Sequence, residues 1–583
     1  MSPAPSRPAK TSIASVTAVA LGLLVLTIAA PVAAAGDDGA GSEVAGTDPG
    51  TVGAQSNDGP ENRTLVAEQP RILELFPNPT ATENRGEYLV VRLPERGNWS
   101  LSDGYYEAEI PANASGVVAL SMDPANATAL LDDETAVGVH GAHDGGAGTP
   151  ELRALDGYFP LSASGDRIEL RRNGTAVAVV SYDRAPEGHR WRADWGEWRP
   201  RGYDPRQAAR TTNATVRPFV LPDTPSAPVE PLRGADDRLL LAGYTLSSER
   251  VADLLVAAAD RGVEVRVLVE GSPVGGFSAR SARLVDRVAA AGVEVRVLDG
   301  EPERFRFHHA KYAVADDRAV VLTENWKPSG TGGRTNRGWG VVTGGPPSEA
   351  DAETTADDLA ALFRADATAA DARSWEAFRT DTEFHDGGTA NGSYPTRFEP
   401  PASTTADVEL LTAPGNGADR LVTRIDAADE RVLALVPRTG GPDNRIVRAL
   451  RRAAERGVDV HLLLSNAWYD REANRALVEA LADEPIEVGV AEPRGRYGKV
   501  HAKGVVVDDT AVVGSLNWNA GSATENREVL LAVEDEGVAD FYARAYAADW
   551  RGGGIHLPVG FAGGLGIAIA GAVVVARREV SFA

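Results

Sequence analysis

Apolar positions change their spacing along the chain, and each change predicts a different element. From Arg71, apolar and polar residues alternate in short runs, as in "EYLVVRL" (87–93), "GVVALSM" (116–122) and "DRIELRRNGTAVAVVSYD" (166–183). Period-two alternation buries one face of a strand and wets the other, so residues 68–205 predict a β-sandwich. Asn173-Gly174, between two alternating runs, predicts a hairpin turn.

From about residue 215 the period lengthens. "ADDRLLLAGYTLSSERVADLLVAAADRGVEVRVLVE" (235–270) reads as an apolar strand, a helix with apolar residues at i, i+3 and i+4, an Arg-Gly stop and an alternating strand. "ADERVLALVPRTGGPDNRIVRALRRAAERGVDVHLLL" (428–464) repeats that order. A second helix and strand follow in each, over 279–298 and 474–491. Residues 215–395 and 405–552 therefore predict two copies of one α/β unit, joined through a Pro/Gly/Asp/Thr-rich stretch that holds one helix.

The ends are patterned differently. A basic start (Arg7, Lys10), an apolar stretch and Ala33-x-Ala35 read as a secretory signal peptide over 1–35, with an uncleaved anchor as the alternative. Residues 36–67 form a polar Gly/Asp/Ser linker. Residues 557–576 carry no charge and precede Arg577 and Arg578, which predicts a transmembrane helix with a short cytoplasmic tail, 577–583. On that expectation the bulk of the chain is extracellular at the cell surface, anchored in the membrane at its C-terminus.

Composition narrows the chemistry. The 583-residue chain has no cysteine, so disulfides and thiolate metal sites are excluded. Its net charge is −24, and of its 59 basic residues only five are lysines: Lys10, Lys311, Lys327, Lys499 and Lys503. Abundant acid with scarce lysine resembles the proteins of salt-loving archaea. In molar salt the Debye length is about 3 Å, so net charge does not choose between lipid and nucleic acid.

The candidate chemistry lies in a repeat. "FHHAKYAVADDRAVVLTENW" (307–326) and "VHAKGVVVDDTAVVGSLNW" (500–518) align without a gap from the His-Ala-Lys onward. Residues i and i+2 of a strand share a face, so His309 and Lys311 project together, as do His501 and Lys503. Asp316 and Asp508 mark the turn into the next strand, which returns Asn325 and Asn517 beside the histidines. Two such sets facing each other suit a phosphodiester: one neutral imidazole attacks phosphorus, one imidazolium protonates the leaving oxygen, and the lysines and asparagines neutralise charge. No metal or other cofactor is required. Lysine kept at matching positions in an arginine-rich chain suggests that a compact ammonium is needed there. Lys499 stands just before the second motif as an accessory cation. Trp191, Trp195 and Trp198, set among arginines, either stack on bases or sugars or seal the sandwich.

The doubled His-x-Lys, four residues, Asp and following Asn resemble the phospholipase D superfamily over roughly 215–550. "ILELFPNP" (72–79), "LSDG" (101–104) and "GDRIELRRNG" (165–174) resemble the lamin-tail domain over roughly 68–205. The resemblances imply a multidomain chain: an Ig-type β-sandwich, then a duplicated α/β fold with its site between the halves. They imply a hydrolase, a phosphodiesterase passing through a phosphohistidine, with His309 as nucleophile and His501 as general acid. Lys311, Lys503, Asp316, Asp508 and Glu528 are carried over as catalytic, and Asn325, Asn517, Ser515 and Thr323 as substrate-binding. The implied substrate is a phospholipid headgroup; a nuclease is the alternative, and a non-enzymatic binding protein the third reading. The first half departs from the family pattern. Leu322 and Thr323 stand for the Gly514 and Ser515 of the second half, and Gly338 stands where the second half has Glu528. By family logic Glu528 orients His309, and His501 either lacks a carboxylate or takes one from elsewhere.

Overall fold

The computed structural model describes residues 69–80, 84–131, 150–203, 208–301, 303–345 and 354–550. The expected signal peptide (1–35), polar linker (36–67) and C-terminal segment (557–583) lie outside the described residues. The membrane anchor is corrected: among the described residues no helix is long and apolar enough to cross a membrane. A crossing helix needs about 20 apolar residues. The last described helix, Glu536–Trp550, has 15 and carries charge along its length. The cell-surface placement that rested on the anchor goes with it.

Two antiparallel-rich sheets build the N-terminal region, one of six strands and one of four. Ile72, Leu75, Leu89 and Val91 of the first pack against Trp99, Leu101, Ile168 and Leu170 of the second. The Asn173-Gly174 turn joins strands Asp166–Arg172 and Thr175–Tyr182, with both turn residues at positive φ. Trp191 and Trp198 pack against this core, and Trp195 lies under the Arg192 guanidinium at 4.2 Å. The tryptophans thus close the sandwich.

A single 16-stranded sheet spans the two α/β units. Its centre is the antiparallel pair Ala209–Leu221 and Thr404–Ala413, the first strand of each half. The first half therefore begins six residues before the expected 215. Outward from this pair the order is the same in both directions. In the first half come Asn336–Gly344, Arg318–Leu322, Lys311–Ala315, Arg238–Gly243 and Glu264–Glu270. In the second come Glu528–Glu534, Thr510–Gly514, Gly504–Val507, Arg431–Val436 and Asp459–Leu464. The inner strands are buried on both faces, which is why "KYAVA" and "GVVV" read as continuous apolar runs.

One face of the sheet is covered by the helices Thr355–Thr368 and Glu536–Trp550, which share one core drawn from both halves. The other face carries two separate cores, one per half. The shared core holds the halves in register, and two buried ion clusters tie them further. Arg527 of the second half meets Asp366 and stacks on Phe305 of the first. Reciprocally, Arg337 of the first half meets Asp549 and stacks on Tyr497 of the second. Each arginine also fixes the backbone that precedes the opposite histidine: His309 N donates to Arg527 O (2.9 Å) and His501 N to Arg337 O (3.0 Å).

Candidate active site

Both His-Ala-Lys segments lie where the halves meet, each bonded through its backbone to the opposite half. His309 and His501 lie just before their strands, which begin at Lys311 and Gly504, and they are held by the cross-half bonds above. The lysines fold back on them. Lys311 Nζ donates to the His309 carbonyl, and Lys503 Nζ donates to the His501 carbonyl at 2.8 Å. Lys503 Nζ also reaches across to Thr323 O of the first half, at 3.4 Å. Lys311 additionally sits 5.2 Å over the Tyr244 ring, whose edge contacts His309 at 4.9 Å between ring centres.

Each imidazole is oriented by a buried carboxylate from the other half. His309 Nδ1 donates to Glu528 at 2.9 and 3.0 Å. His501 Nδ1 donates to Glu324 Oε1 at 3.2 Å. Both glutamates are fully buried, and each takes a second bond from an asparagine at matching positions: Asn526 Nδ2 to Glu528 (3.2 Å) and Asn336 Nδ2 to Glu324 (2.8 Å). Ser522 Oγ also donates to Glu528. With Nδ1–H engaged in this way, Nε2 is the atom that can meet a substrate; among the described residues His309 Nε2 has no protein partner, while His501 Nε2 lies 3.4 Å from Lys503 Nζ.

His501 thus has its carboxylate, supplied from a position that motif alignment does not inspect. The exchange that puts it there is reciprocal. In the second half Gly514 pairs with Leu530 across adjacent strands, while in the first Leu322 pairs with Gly340. One same-face step further, Leu516 and Glu528 are replaced by Glu324 and Gly338. A Cβ at Gly338 would lie 2.3 Å from Glu324 Cγ, and one at Gly514 would lie 2.2 Å from Val529 O. At the first step the large and small residues have changed strands; at the second the carboxylate comes from the neighbouring strand and occupies the space that Gly338 leaves open. "LTENW" carried the acid in plain view, and Gly338 was the signal that something must fill the space.

The other expected residues fall in two groups. Asn325 and Asn517 lie at the ends of the returning strands, and among the described residues neither carboxamide makes a hydrogen bond within the protein. Thr323 and Ser515 are fully buried and tie neighbouring strands: Trp339 N donates to Thr323 Oγ1 and Val529 N to Ser515 Oγ, both at 3.0 Å. Their hydroxyls thus tie the strands that carry the site, and Ser515 also helps to lower the Glu528 carboxyl.

Asp316 and Asp508 are not brought to the site. Each lies at the far end of its strand, five residues beyond the lysine, which is about 16 Å at 3.3 Å per residue. Each sits in the left-handed region, at φ +55° and +49°. The Asp316 carboxylate accepts from the backbone N–H of Asp236, Asp237 and Arg238, and Asp508 does the same for Asp429, Glu430 and Arg431. Burial would raise both carboxyls, but the three backbone donors hold them below the usual range. The aspartates are clips that fix where the first strand of each βαβ unit begins.

Burial pushes both His309 and His501 down to about 4, against the opposing pull of Glu528 and Glu324. Burial also lowers Lys503 to about 8 and Lys311 well below the ordinary lysine value; Lys503 adds to the lowering of Lys311, and Lys499 to that of Lys503. Burial would raise the Glu528 carboxyl, but His309 and Lys311 hold it below its ordinary value. The free site thus crowds two lysines and two imidazoles around the buried side chains of Glu528 and Glu324. Among the described residues no cluster of His, Asp and Glu is arranged to hold a metal.

Comparison with known proteins agrees with this geometry. Residues 229–364 and 421–550 match the family model described as "Cardiolipin synthase, PLD-like domain". A cardiolipin synthase A from Pseudomonas aeruginosa (strain LESB58) is 40% identical over 130 residues, 22% of this chain and 26% of that protein. A cardiolipin synthase A from Proteus mirabilis (strain HI4320) is 27% identical over 341 residues, 54% of this chain and 64% of that one. The chain therefore spans between a quarter and two thirds of the length of these relatives. Among solved structures, a phosphatidylserine synthase from Haemophilus influenzae Rd KW20 aligns with a TM-score of 0.39 at 12% identity, covering 58% of this chain and 88% of that one. The matched residues lie within the α/β halves, outside the sandwich. On its two aligned His-x-Lys motifs and the matched family model, the doubled α/β region of this chain belongs to the phospholipase D superfamily.

Proposed function

We propose that the chain cleaves or transfers phospholipid headgroups at a phosphodiester, through a covalent intermediate on His309. The observation that carries this is the pair of buried histidines, each with Nδ1 on a carboxylate of the opposite half and each flanked by a lysine without a full counter-charge. His309 Nε2 attacks phosphorus, and the bond to the leaving oxygen breaks with its electron pair. That oxygen takes the proton of His501 Nε2–H. Water, or the hydroxyl of an acceptor alcohol, then attacks phosphorus and gives its proton to His501, and the P–N bond returns its pair to His309. Lys311, Lys503, Asn325 and Asn517 meet the non-bridging oxygens. Glu528 and Glu324 hold the rings and stabilise their charged forms.

The depressed imidazoles fit this division of labour. A neutral His309 is the form that attacks. His501 gains its proton when the substrate's negative charge enters a buried site of cations, since an anion at that point favours every protonated neighbour.

Two features support a lipid. The curated relatives are cardiolipin synthases. Exposed apolar tips also flank the site: Val274 is 82% exposed, and its N–H is held by Tyr244 Oη beside His309, while Trp468 is 83% exposed next to Tyr469, whose hydroxyl accepts from Lys499. Apolar and aromatic side chains at a site's rim suit a substrate presented at a lipid–water interface.

The experiment offers phosphatidylglycerol vesicles and single-stranded DNA to the full chain in molar salt, beside His309→Ala and His501→Ala. Headgroup release or transfer that both changes abolish supports the reading. DNA loss with intact lipid would make the chain a nuclease, and no turnover of either by the folded protein would sink the enzymatic account.

A further inference from the structure

We infer that Lys327 and Lys499 form a second anion subsite beside His501, which takes a second phosphate of the same substrate. This rests on the phosphodiester reading above and adds a substrate class to it: molecules with another phosphate close to the scissile one.

The observations begin with the lysine count. Arginine is the default cation of this chain, 54 of 59 basic residues, and of the five lysines only Lys10 lies outside the described residues. The other four all gather here. Lys311 and Lys503 belong to the repeated motifs; Lys327 and Lys499 do not. In the opposite half Asn519 and Phe307 occupy the equivalent places. The extra charge is therefore not inherited from the duplication, and it lies on one side of the pseudo-two-fold axis only.

Backbone contacts bring the two lysines together. Lys499 pairs in register with Asn336. Asn336 N donates to Ser329 O in the tight loop that begins at Lys327, and Asn336 Nδ2 donates to Glu324, three residues before Lys327. Burial lowers Lys327 and the nearby Lys499 ammonium lowers it further; Lys327 in turn adds to the lowering of Lys311, and Lys499 to that of Lys503.

Neither lysine is neutralised. Among the described residues the Lys327 ammonium has no hydrogen-bond or ion-pair partner, although the residue is half-buried. Lys499 Nζ donates only to Tyr469 Oη, at 2.6 Å, and rests 4.9 Å over that ring. The nearest carboxylates are engaged elsewhere: Glu324 by His501 and Asn336, and Asp470 by Arg438 at 3.6 Å. Most surface arginines of this chain, by contrast, meet a carboxylate. Glu324 and Asp470 act on these lysines only through space, and two ammonium groups kept together with no carboxylate in contact repel each other unless an anion joins them. A compact ammonium, unlike the planar guanidinium fork, can serve a phosphate from several directions in a narrow space. If His309 attacks and His501 protonates, this subsite lies on the leaving-group side, so the second phosphate belongs to the portion that departs.

Two sources present such an anion: a headgroup carrying a terminal phosphomonoester, or the next phosphate along a nucleic-acid strand. Calorimetry on the full-length protein separates them without turnover. Glycerol 1,3-bisphosphate is compared with glycerol 1-phosphate, and 5′-phosphorylated dithymidylate with dithymidylate. We expect one of the two-phosphate probes to bind at least about 30-fold tighter than its one-phosphate partner. Lys327→Gln and Lys499→Gln should each cut that preference about tenfold, the loss of one charge-assisted contact. Thermal melting of both variants confirms that they fold. The frame that shows the preference names the source. Equal affinity for one- and two-phosphate probes in the unmodified chain would overturn the inference. So would a preference that survives in both variants. A preference without diester turnover would sink the proposed reaction and leave the subsite standing; turnover without preference would do the reverse.

Discussion

Glu324 and Gly338 face each other across neighbouring strands, and the carboxylate of one fills the space that the missing side chain of the other leaves. The second half has the mirror arrangement, with Leu516 opposite Glu528. A positioning carboxylate can therefore reach an active-site histidine from either of two strands, and in the first half Gly338 makes the room for it.

The exchange makes a rescue prediction. Glu324→Gln should lower turnover about 100-fold, because the ring keeps a hydrogen-bond partner but loses the charge that stabilises its imidazolium. Gly338→Glu alone should be worse in stability, since the new side chain meets Glu324. Glu324→Leu with Gly338→Glu copies the second half and should recover most of the turnover lost in Glu324→Leu. Steady-state kinetics on one diester across the four variants decides it; no recovery in the double variant contradicts the exchange.

Asp316 and Asp508 should behave as clips. Replacing either with alanine removes a carboxylate that serves three backbone N–H groups and leaves a non-glycine residue in the left-handed region. A loss of about 1–3 kcal/mol in unfolding free energy is expected. Denaturant melts measure it. The folded variants should keep kcat within about threefold, and a loss of 100-fold or more would return the aspartates to the chemistry.

Anion affinity should depend on pH in a definite direction. Lys503 is lowered to about 8 by burial in the free protein, so it is charged below that value and neutral above it. Binding of dimethyl phosphate, whose own charge is constant across the range, should be strong at pH 7 and weaken as pH rises through about 8. At pH 9 a bound anion restores the ammonium, so binding should take up to one proton. Calorimetry in buffers of different ionisation enthalpy reads that uptake, and proton release would contradict the assignment.

Trp468 should matter more for lipid assembled in a bilayer than for a dissolved diester. Trp468→Ala is expected to lower the ratio of vesicle activity to activity on bis(p-nitrophenyl) phosphate by about fivefold or more, with melting unchanged because the side chain is exposed. An unchanged ratio would remove the rim from the lipid argument.

Much of this architecture was legible in the order of residues. The change of apolar period from two to about 3.6 located the sandwich and the doubled α/β unit, and strand geometry alone put His309 with Lys311 and His501 with Lys503. Contacts made across the chain were not legible. The Glu324–His501 bond joins residues 177 apart, and the exchange that permits it shows only once Leu322 is known to pair with Gly340. Asp316 and Asp508 misled for a related reason: fixed spacing within a motif marks a requirement, and here the backbone of the next βαβ unit makes it.

The central claim is that His309 carries the phosphoryl group and His501 serves it. Bis(p-nitrophenyl) phosphate tests this directly, because its leaving group departs without a proton. His501→Asn should then release one equivalent of p-nitrophenolate in a burst and stall, since no base remains to activate water. Mass spectrometry after an alkaline quench should find the p-nitrophenylphosphoryl adduct on His309 in that variant, and none in His309→Asn. A burst and adduct in His309→Asn, or steady turnover in His501→Asn with no adduct on His309, would contradict the account.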